Sequence, residues 1–238
     1  MVPPSSLPLT LAKSGKTPPF KTERLLICEG PEERAFVREM ARVRQLPDLD
    51  LVCVDDMGTG GGNGGFEAFL IAVLPHTGFI DIKHIAILAD SDHDQTILFG
   101  QIRDQIIQAN SNVDVKGRYG VPAAPFLKAA GTVAVTVLMQ PAPQRTGCLE
   151  TLLWDVVLRI HGNVAGCVDQ LVACSGIISP PNPWSQSKLD KARIRAVIAM
   201  LHEGNPALAL SWLWEKRPDL IPATATEFDA IHAHLQAI

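Results

Sequence analysis

Apolar and polar positions along the chain form blocks that predict strands and helices in alternation. Four short apolar runs, at residues 25–28, 49–54, 85–89 and 132–139, have the length of buried strands. Between them, apolar residues recur at helical spacing over about 31–43, 66–74 and 95–109, and a glycine-rich run at 58–65 predicts a flexible loop. The buried side of the third helix is predicted to consist of Ile97, Leu98, Ile102, Ile106 and Ile107. This alternation predicts an α/β fold with a mostly parallel four-stranded sheet between helices.

The remaining segments divide the chain into three predicted parts. Residues 1–21 are rich in Pro, Ser and Lys and are interpreted as a flexible N-terminal arm, followed by an α/β core over 22–145. A helical C-terminal extension over 146–238 is predicted to pack on the core, because three of the four tryptophans lie within or after the linker at 179–185. Its helices are predicted at 149–160, 164–174, 187–201, 206–214 and 226–235.

Composition and charge narrow the class of protein. With 47% hydrophobic and 19% charged residues in 238, the chain has a globular composition. Its formal net charge of −4 is not the strongly basic signature of many nucleic-acid-binding proteins. The five cysteines show no zinc-binding spacing: Cys28 and Cys53 are expected to be buried as small hydrophobes, and Cys148 is discounted as a nucleophile because no base adjoins it. We find neither a secretory leader nor an apolar run of the ~18 residues that a membrane span needs. We therefore expect a cytoplasmic protein without a membrane partner.

The segment HIAILADSDHD at residues 84–94 carries the main candidate chemistry. An apolar strand ends there in Asp90, Asp92 and Asp94. Two carboxylates ~4 Å apart repel by roughly 4 kcal/mol at an effective dielectric constant of 20. A hard divalent cation, Mg²⁺ or Mn²⁺, would relieve that repulsion. The alternative is a solvated turn that caps the next helix, which is our interpretation of Asp94. Asp55 and Asp56, after the second strand, are interpreted as turn residues.

A second acid follows the first predicted strand. Glu29 precedes Gly30 and Pro31, and Pro31 suits the first position of a helix. If this strand lies beside the strand that ends at Asp90, then Glu29, Asp90 and Asp92 meet at the carboxyl edge of the sheet, where ligands bind in such folds. The N-terminus of the helix at Pro31 would face the same edge and favour an anionic substrate.

Together these residues resemble a known domain. LLICEGPEE followed by IAILADSD is similar to the Toprim domain of topoisomerases, primases, recombination-mediator proteins and OLD-family nucleases. With the later GCLETLL segment, the chain looks most like small stand-alone bacterial and archaeal Toprim-like proteins of unknown function related to the OLD nucleases. The resemblance covers roughly residues 25–154 and implies a Rossmann-like Toprim core.

The resemblance also implies roles for individual residues. Glu29 would be a general acid/base or a metal ligand, and Lys191 would contact phosphate from a late helix. The predicted set comprises metal ligands Glu29, Asp90, Asp92 and Glu150, catalytic residues Glu29, Glu33 and Lys191, and substrate-binding residues Gly30 and Lys188. Mg²⁺ or Mn²⁺ is the implied cofactor, and a nucleic acid or a nucleotide is the implied partner. A homodimer is left open.

Three functions are compatible with these residues. The first is a Mg²⁺-dependent phosphoryl-transfer enzyme of Toprim type, either a nuclease or a nucleotide hydrolase. The second is a non-catalytic Toprim-like module that binds a protein or nucleic-acid partner. The third is a haloacid-dehalogenase-like phosphatase with Asp90 as nucleophile and Asp92 as acid, ranked lower because that motif usually opens its domain. Against cleavage, the chain lacks both the ATPase domain of full OLD proteins and an arginine cluster at the site.

Overall fold

The fold is organised around a parallel four-stranded sheet. The computed structural model describes residues 20–57, 64–181 and 183–238. Strands β1 (Arg24–Cys28), β2 (Asp50–Cys53), β3 (His84–Asp90) and β4 (Ala134–Gln140) pair in the order β2-β1-β3-β4, all in parallel. The α/β fold predicted from the sequence is therefore confirmed. The strands that lead to the two acidic segments, β1 and β3, are direct neighbours at the centre of the sheet.

Helices follow the strands and then form the C-terminal third of the chain. The described part contains eight α-helices: α1 (Pro31–Arg44), α2 (Phe66–Ala72), α3 (Gln95–Ser111), α4 (Leu149–Ile160), α5 (Gly162–Ser175), α6 (Gln186–Leu201), α7 (Leu213–Lys216) and α8 (Asp229–Gln236). No helix in these described ranges combines the length and the apolarity that crossing a bilayer requires.

The two faces of the sheet carry separate layers of helices. Alternate strand residues such as Ile27, Ile87 and Val137 pack against α2 and α3. The other set, including Leu26, Leu88 and Leu138, packs in one cluster with α1, α4 and the later helices. On that side the Phe36 ring lies 5.5 Å from the Trp214 ring and 4.9 Å from the Phe228 ring, centroid to centroid. The C-terminal helices therefore share the core of the sheet.

Two predicted helical features differ from the structure. In place of one helix over 206–214, a 3₁₀ turn at Leu210–Trp212 leads into the single turn of α7. Pro218 explains the short helix, because the residue before a proline disfavours helical backbone. In α3, Ile97 and Ile107 were expected on the buried side but are 52% and 37% exposed. Only the narrower stripe of Leu98, Ile102 and Ile106 faces the sheet.

Both predicted flexible segments fall largely outside the described residues. Of the arm predicted at 1–21, only Phe20 and Lys21 are described. Phe20 is buried, and the backbone N–H of Lys21 donates to Oδ2 of Asp50 at 2.8 Å, so these two residues are held against the sheet. Of the glycine-rich loop predicted at 58–65, residues 58–63 lie outside the description.

His84 should make stability depend on pH at the start of β3. It is buried, with Nε2 at 2.9 Å from Thr136 Oγ1, and burial, together with Lys128 and Arg24, lowers its pKa to about 4. Because this pKa lies below the value of 6.5 for the free side chain, the stabilisation is present above pH 6.5 and is lost as the pH falls towards 4.

We therefore expect the His84→Gln variant to lose less unfolding free energy than the wild-type protein between pH 6.5 and 4. Glutamine keeps a hydrogen-bonding group near Thr136 but does not titrate. Urea denaturation at a series of pH values measures the difference. Parallel curves for the two proteins across this range would contradict the assignment.

Candidate metal centre

The neighbouring ends of β1 and β3 bring the two predicted acidic segments together. The backbone N–H of Glu29 donates to the carbonyl oxygen of Leu88 at 3.2 Å, which extends the pairing of β1 and β3 by one residue. The backbone N–H of Asp90 then donates to Oε2 of Glu29, also at 3.2 Å, across 61 residues of sequence. Glu29 and Asp90 therefore lie close together, as expected from the sequence, because the strands that precede them are adjacent.

Asp90 lies at the centre of the site. Its side chain is 4% exposed, its Oδ1 accepts from the backbone N–H of Leu149 at 3.1 Å, and its Oδ2 lies 3.6 Å from Nζ of Lys191. Ligating atoms of Asp90, Cys148 and Glu150 all lie within 4.8 Å of one another, and all three residues are buried. A group of this size and chemistry can hold a metal ion.

This compact group differs from the set predicted from the sequence. Glu150 joins Asp90 as expected, but Glu29 and Asp92 are not members of the group within 4.8 Å. Cys148 is a member that sequence reasoning set aside, because it was considered only as a nucleophile. In the segment GCLE, residues 147–150, Cys148 and Glu150 lie on either side of Leu149, the first residue of α4. This spacing was the signal in the sequence that the two side chains lie near each other.

The turn after β3 positions Asp92 and the start of α4. The backbone N–H groups of Ser91 and Asp92 donate to the carbonyl oxygen of Gly147 at 3.1 and 2.6 Å. Gly147 has a φ of +137°, and a Cβ there would lie 2.4 Å from Thr151 Oγ1, so only glycine fits. These bonds hold Cys148 and Glu150 beside Asp90 and leave Asp92 half-buried on the same turn.

Glu33 adds a further carboxyl group under this edge. Gly30 caps α1, and a Cβ at Gly30 would lie only 3.0 Å from Oε2 of Glu33. Burial raises the pKa of Glu33 to about 7, and the charges of Glu29 and Glu150 act in the same direction. Burial also raises the pKa of Glu29, and it raises the pKa of Asp90 well above its usual value, with Glu33 and Glu29 contributing. The site is therefore short of positive charge.

The ammonium group of Lys191 on α6 places a positive charge beside these acids. Burial by itself would lower the pKa of Lys191, but the charges of Asp90 and Glu150 outweigh it and raise the pKa. The neighbouring Asp190 fixes α6, because Thr151 Oγ1 donates to Asp190 Oδ2 at 2.9 Å. By contrast, Lys188 lies with Nζ 4.4 Å from the Trp184 ring centroid, and none of its side-chain contacts joins it to the acids.

A buried amide without a hydrogen-bond partner lies beside the acids. Gln140 pairs with Asp90 in the sheet register, so the two side chains leave the same face. Gln140 is fully buried, yet neither its Oε1 nor its Nε2 has a partner in the described part of the chain. Buried polar groups are almost always satisfied, so this carboxamide calls for a polar partner beside Asp90, either a water molecule or a ligand.

The known proteins that are similar to this chain are distant from it in sequence. No family model matches the sequence, and a search of curated proteins found no match. Among solved structures, three crystals of the C-terminal region of the Xanthomonas campestris pv. campestris OLD protein, phased with mercury, platinum or iodine, are similar to the chain. They are 16% identical, cover 91% of this chain and 93–95% of their own, and give TM-scores of 0.40 to 0.41. Likeness at this level does not assign a function.

The donor chemistry of the site fits a hard divalent cation. Glu29, Asp90, Asp92 and Glu150 offer carboxylate oxygens, which Mg²⁺ and Mn²⁺ prefer. Burial, then the charges of Asp90 and Glu150, raise the pKa of the Cys148 thiol, so it stays protonated at neutral pH. Without a metal the thiol is therefore a poorer donor than the carboxylate oxygens around it, and those oxygens suit a hard cation best.

Proposed function

We propose that the protein is a divalent-cation-dependent phosphoryl-transfer enzyme of Toprim type, either a nuclease or a nucleotide hydrolase. The observation that carries the proposal is the contact between Glu29 and Asp90, which places the two acidic segments at one edge of a parallel sheet. The similarity of those segments to the Toprim pattern agrees with it. So does the excess of buried carboxyl groups, because an isolated acidic cluster without a cation is unfavourable.

The proposal assigns the metal to four side chains. Asp90 and Glu150, from the compact group, would hold Mg²⁺ or Mn²⁺ together with Glu29 and Asp92. The ion, when bound, would neutralise charge on a phosphate and make a water molecule more acidic. The orphaned carboxamide of Gln140, adjacent to Asp90, supports the presence of a further ligand at this edge.

The protein side chains would bind the substrate and move protons. Where the other three acids hold the ion, Glu29 would instead act as the general acid/base. It is half-buried, and burial raises its pKa in the metal-free protein, which suits a carboxylate that accepts and returns a proton. Glu33, with a pKa of about 7, would hold a second proton nearby. Lys191 would bind a phosphate oxygen. Gly30 would allow phosphate to approach the N-terminus of α1, where backbone N–H groups attract anions.

Metal-dependent hydrolysis tests this proposal. Single-stranded DNA, plasmid DNA and nucleoside triphosphates are incubated with the protein and Mg²⁺ or Mn²⁺, with chelator in a parallel series. We expect hydrolysis of at least one substrate, abolished by chelator and slowed about 10²- to 10⁴-fold in Glu29→Gln, the range for loss of a general acid/base.

Glu23→Gln is the matched control, because Glu23 is exposed just before β1, at the opposite end of that strand. It should hydrolyse substrate at the wild-type rate. Hydrolysis that persists in chelator or in Glu29→Gln would contradict the proposal. A protein that binds nucleic acid but hydrolyses none of these substrates would instead be a binding module.

A further inference from the structure

Four cations on α6 divide into two groups with different surroundings. Arg193 is neutralised within the fold, with its guanidinium at 3.0 Å from Asp190 and 2.8 Å from Asp169, and its side chain is 17% exposed. Lys188, Lys191 and Arg195 are exposed. In the described residues neither the Lys188 nor the Arg195 side chain has a hydrogen bond or an ion pair, although Glu32 lines the same cavity as Arg195.

The three exposed cations form a line on the surface of α6. At 100° per residue they fall within a sector of about 60°, and the two ends are separated by about 10.5 Å along the helix axis. We call Lys188, Lys191 and Arg195 the α6 stripe. Lys191 occupies its middle, with Nζ 3.6 Å from Asp90. The stripe thus extends from the acidic centre in both directions.

Each end of the stripe has a distinct environment. Lys188 stacks on the half-buried ring of Trp184. Arg195 lines a cavity of about 280 Å³ together with Glu32 and residues 206–210. Glu32 is in the first turn of α1, so the cavity adjoins the same end of α1 as Gly30. An extended anion could therefore follow the stripe past the acidic centre without leaving the surface.

We propose that the α6 stripe binds successive phosphates of a polynucleotide strand, with the phosphate to be cleaved at Lys191. The placement at Lys191 rests on the proposed function, whereas binding by Lys188 and Arg195 does not require it. A nucleic-acid strand carries one phosphate per ~3.4 Å of helix axis, so the stripe spans about three intervals between phosphates, or about four phosphates. One phosphate group cannot contact both ends, and this separation favours a polymer over a mononucleotide.

Binding of labelled 20-nucleotide strands tests the assignment. Fluorescence anisotropy is measured with single-stranded DNA, single-stranded RNA and duplex DNA, in chelator and at several salt concentrations, for Lys188→Gln, Arg195→Gln and the double variant. For single strands each lost phosphate contact removes about 0.7 from the salt slope, equivalent to about five-fold in affinity at 0.1 M salt. We expect about five-fold weaker binding for each variant and about 25-fold for the double variant.

Arg103→Gln on α3 is the matched control, because Arg103 is exposed and the same charge is removed on the other side of the sheet. It should bind like wild type, and circular dichroism should show all variants folded. Thymidine monophosphate should fail to displace the strand, whereas a four-nucleotide strand should succeed. The three labelled strands show whether DNA, RNA or duplex presents the phosphates best.

Three results would overturn the inference: no binding of any strand by the wild-type protein, wild-type affinity in the double variant, or equal weakening by Arg103→Gln. Its failure can be distinguished from failure of the proposed function. If the double variant loses strand binding but the wild-type protein hydrolyses no substrate, the binding role of the α6 stripe is supported and the proposed enzymatic function is contradicted. If the wild-type protein and the double variant hydrolyse nucleoside triphosphates equally and neither binds a strand, the enzymatic function is supported and the α6 stripe is contradicted.

Discussion

An Asp90→Asn variant should lose phosphoryl transfer by on the order of 10³-fold while remaining folded. Asp90 is the member of the acidic group that contacts the most other parts of the site, through Glu29, Leu149 and Lys191. Asparagine keeps an oxygen that can accept the N–H of Leu149, so the start of α4 stays in place. The substitution removes the negative charge that would bind a divalent cation and that pairs with Lys191.

The stability of the same variant separates a functional role from a structural one. Because Asp90 is buried among other acids, its ionised form is unfavourable in the metal-free protein. We expect the free energy of unfolding of metal-free Asp90→Asn at pH 8 to equal or exceed that of wild type. Mn²⁺ should raise the melting temperature of the wild-type protein but not that of the variant.

Asp94→Asn is the matched control, since Asp94 caps α3 by accepting from the N–H groups of Thr96 and Ile97 and asparagine caps as well. It should keep both the activity and the Mn²⁺ response. Differential scanning fluorimetry and a hydrolysis assay on the same samples give both readouts. An inactive Asp90→Asn protein that is also strongly destabilised would point to a structural role for Asp90.

An Arg34→Met variant should lose about 3–5 kcal/mol of unfolding free energy. Nη1 of Arg34 lies 3.0 and 2.8 Å from the two carboxylate oxygens of Asp56, and the side chains are 7% and 1% exposed. The substitution leaves Asp56 buried without its opposite charge. Among the described residues, the remaining hydrogen bond to Asp56 comes from the backbone N–H of Cys53, at 2.8 Å.

A double variant tests whether the loss comes from the stranded charge. Arg34→Met with Asp56→Asn keeps an acceptor for Cys53 but contains no unpaired ion, so we expect it to regain about 2 kcal/mol or more relative to Arg34→Met. Urea unfolding of the wild type, both single variants and the double variant completes the cycle. Additive losses would show that the pair is uncoupled and that Arg34 acts through packing alone.

Local patterns were sufficient to predict the sheet and most helices. Each strand is a short apolar run, and α4 was predicted at its observed bounds. Cys28 and Cys53 were expected to be buried as small hydrophobes, and Asp94 was expected to cap a helix, and both expectations are confirmed. Such features depend on periodicity and capping within a few residues, which a sequence displays directly.

Interactions between distant segments were harder to predict. Asp56 was interpreted as a turn residue, because nothing near it in sequence announces Arg34 as a buried partner. The compact group around Asp90 depends on the hydrogen bonds that the carbonyl oxygen of Gly147 accepts from the turn after β3. No pattern of residue spacing predicts those bonds. The sequence predicts that Glu29 and Asp90 meet if their strands are neighbours, and the strand order of the structure meets that condition. The place of Cys148 depends on the path of one loop.

The origin of Lys191 has a consequence for biosynthesis. All the carboxyl groups of the acidic centre belong to residues 29–150, but the ammonium opposite Asp90 is encoded about forty codons later, on α6. A nascent chain that has released its sheet from the ribosome therefore carries an uncompensated patch of acid until α6 emerges. Until then, water and dissolved cations take the place of the Lys191 ammonium beside Asp90.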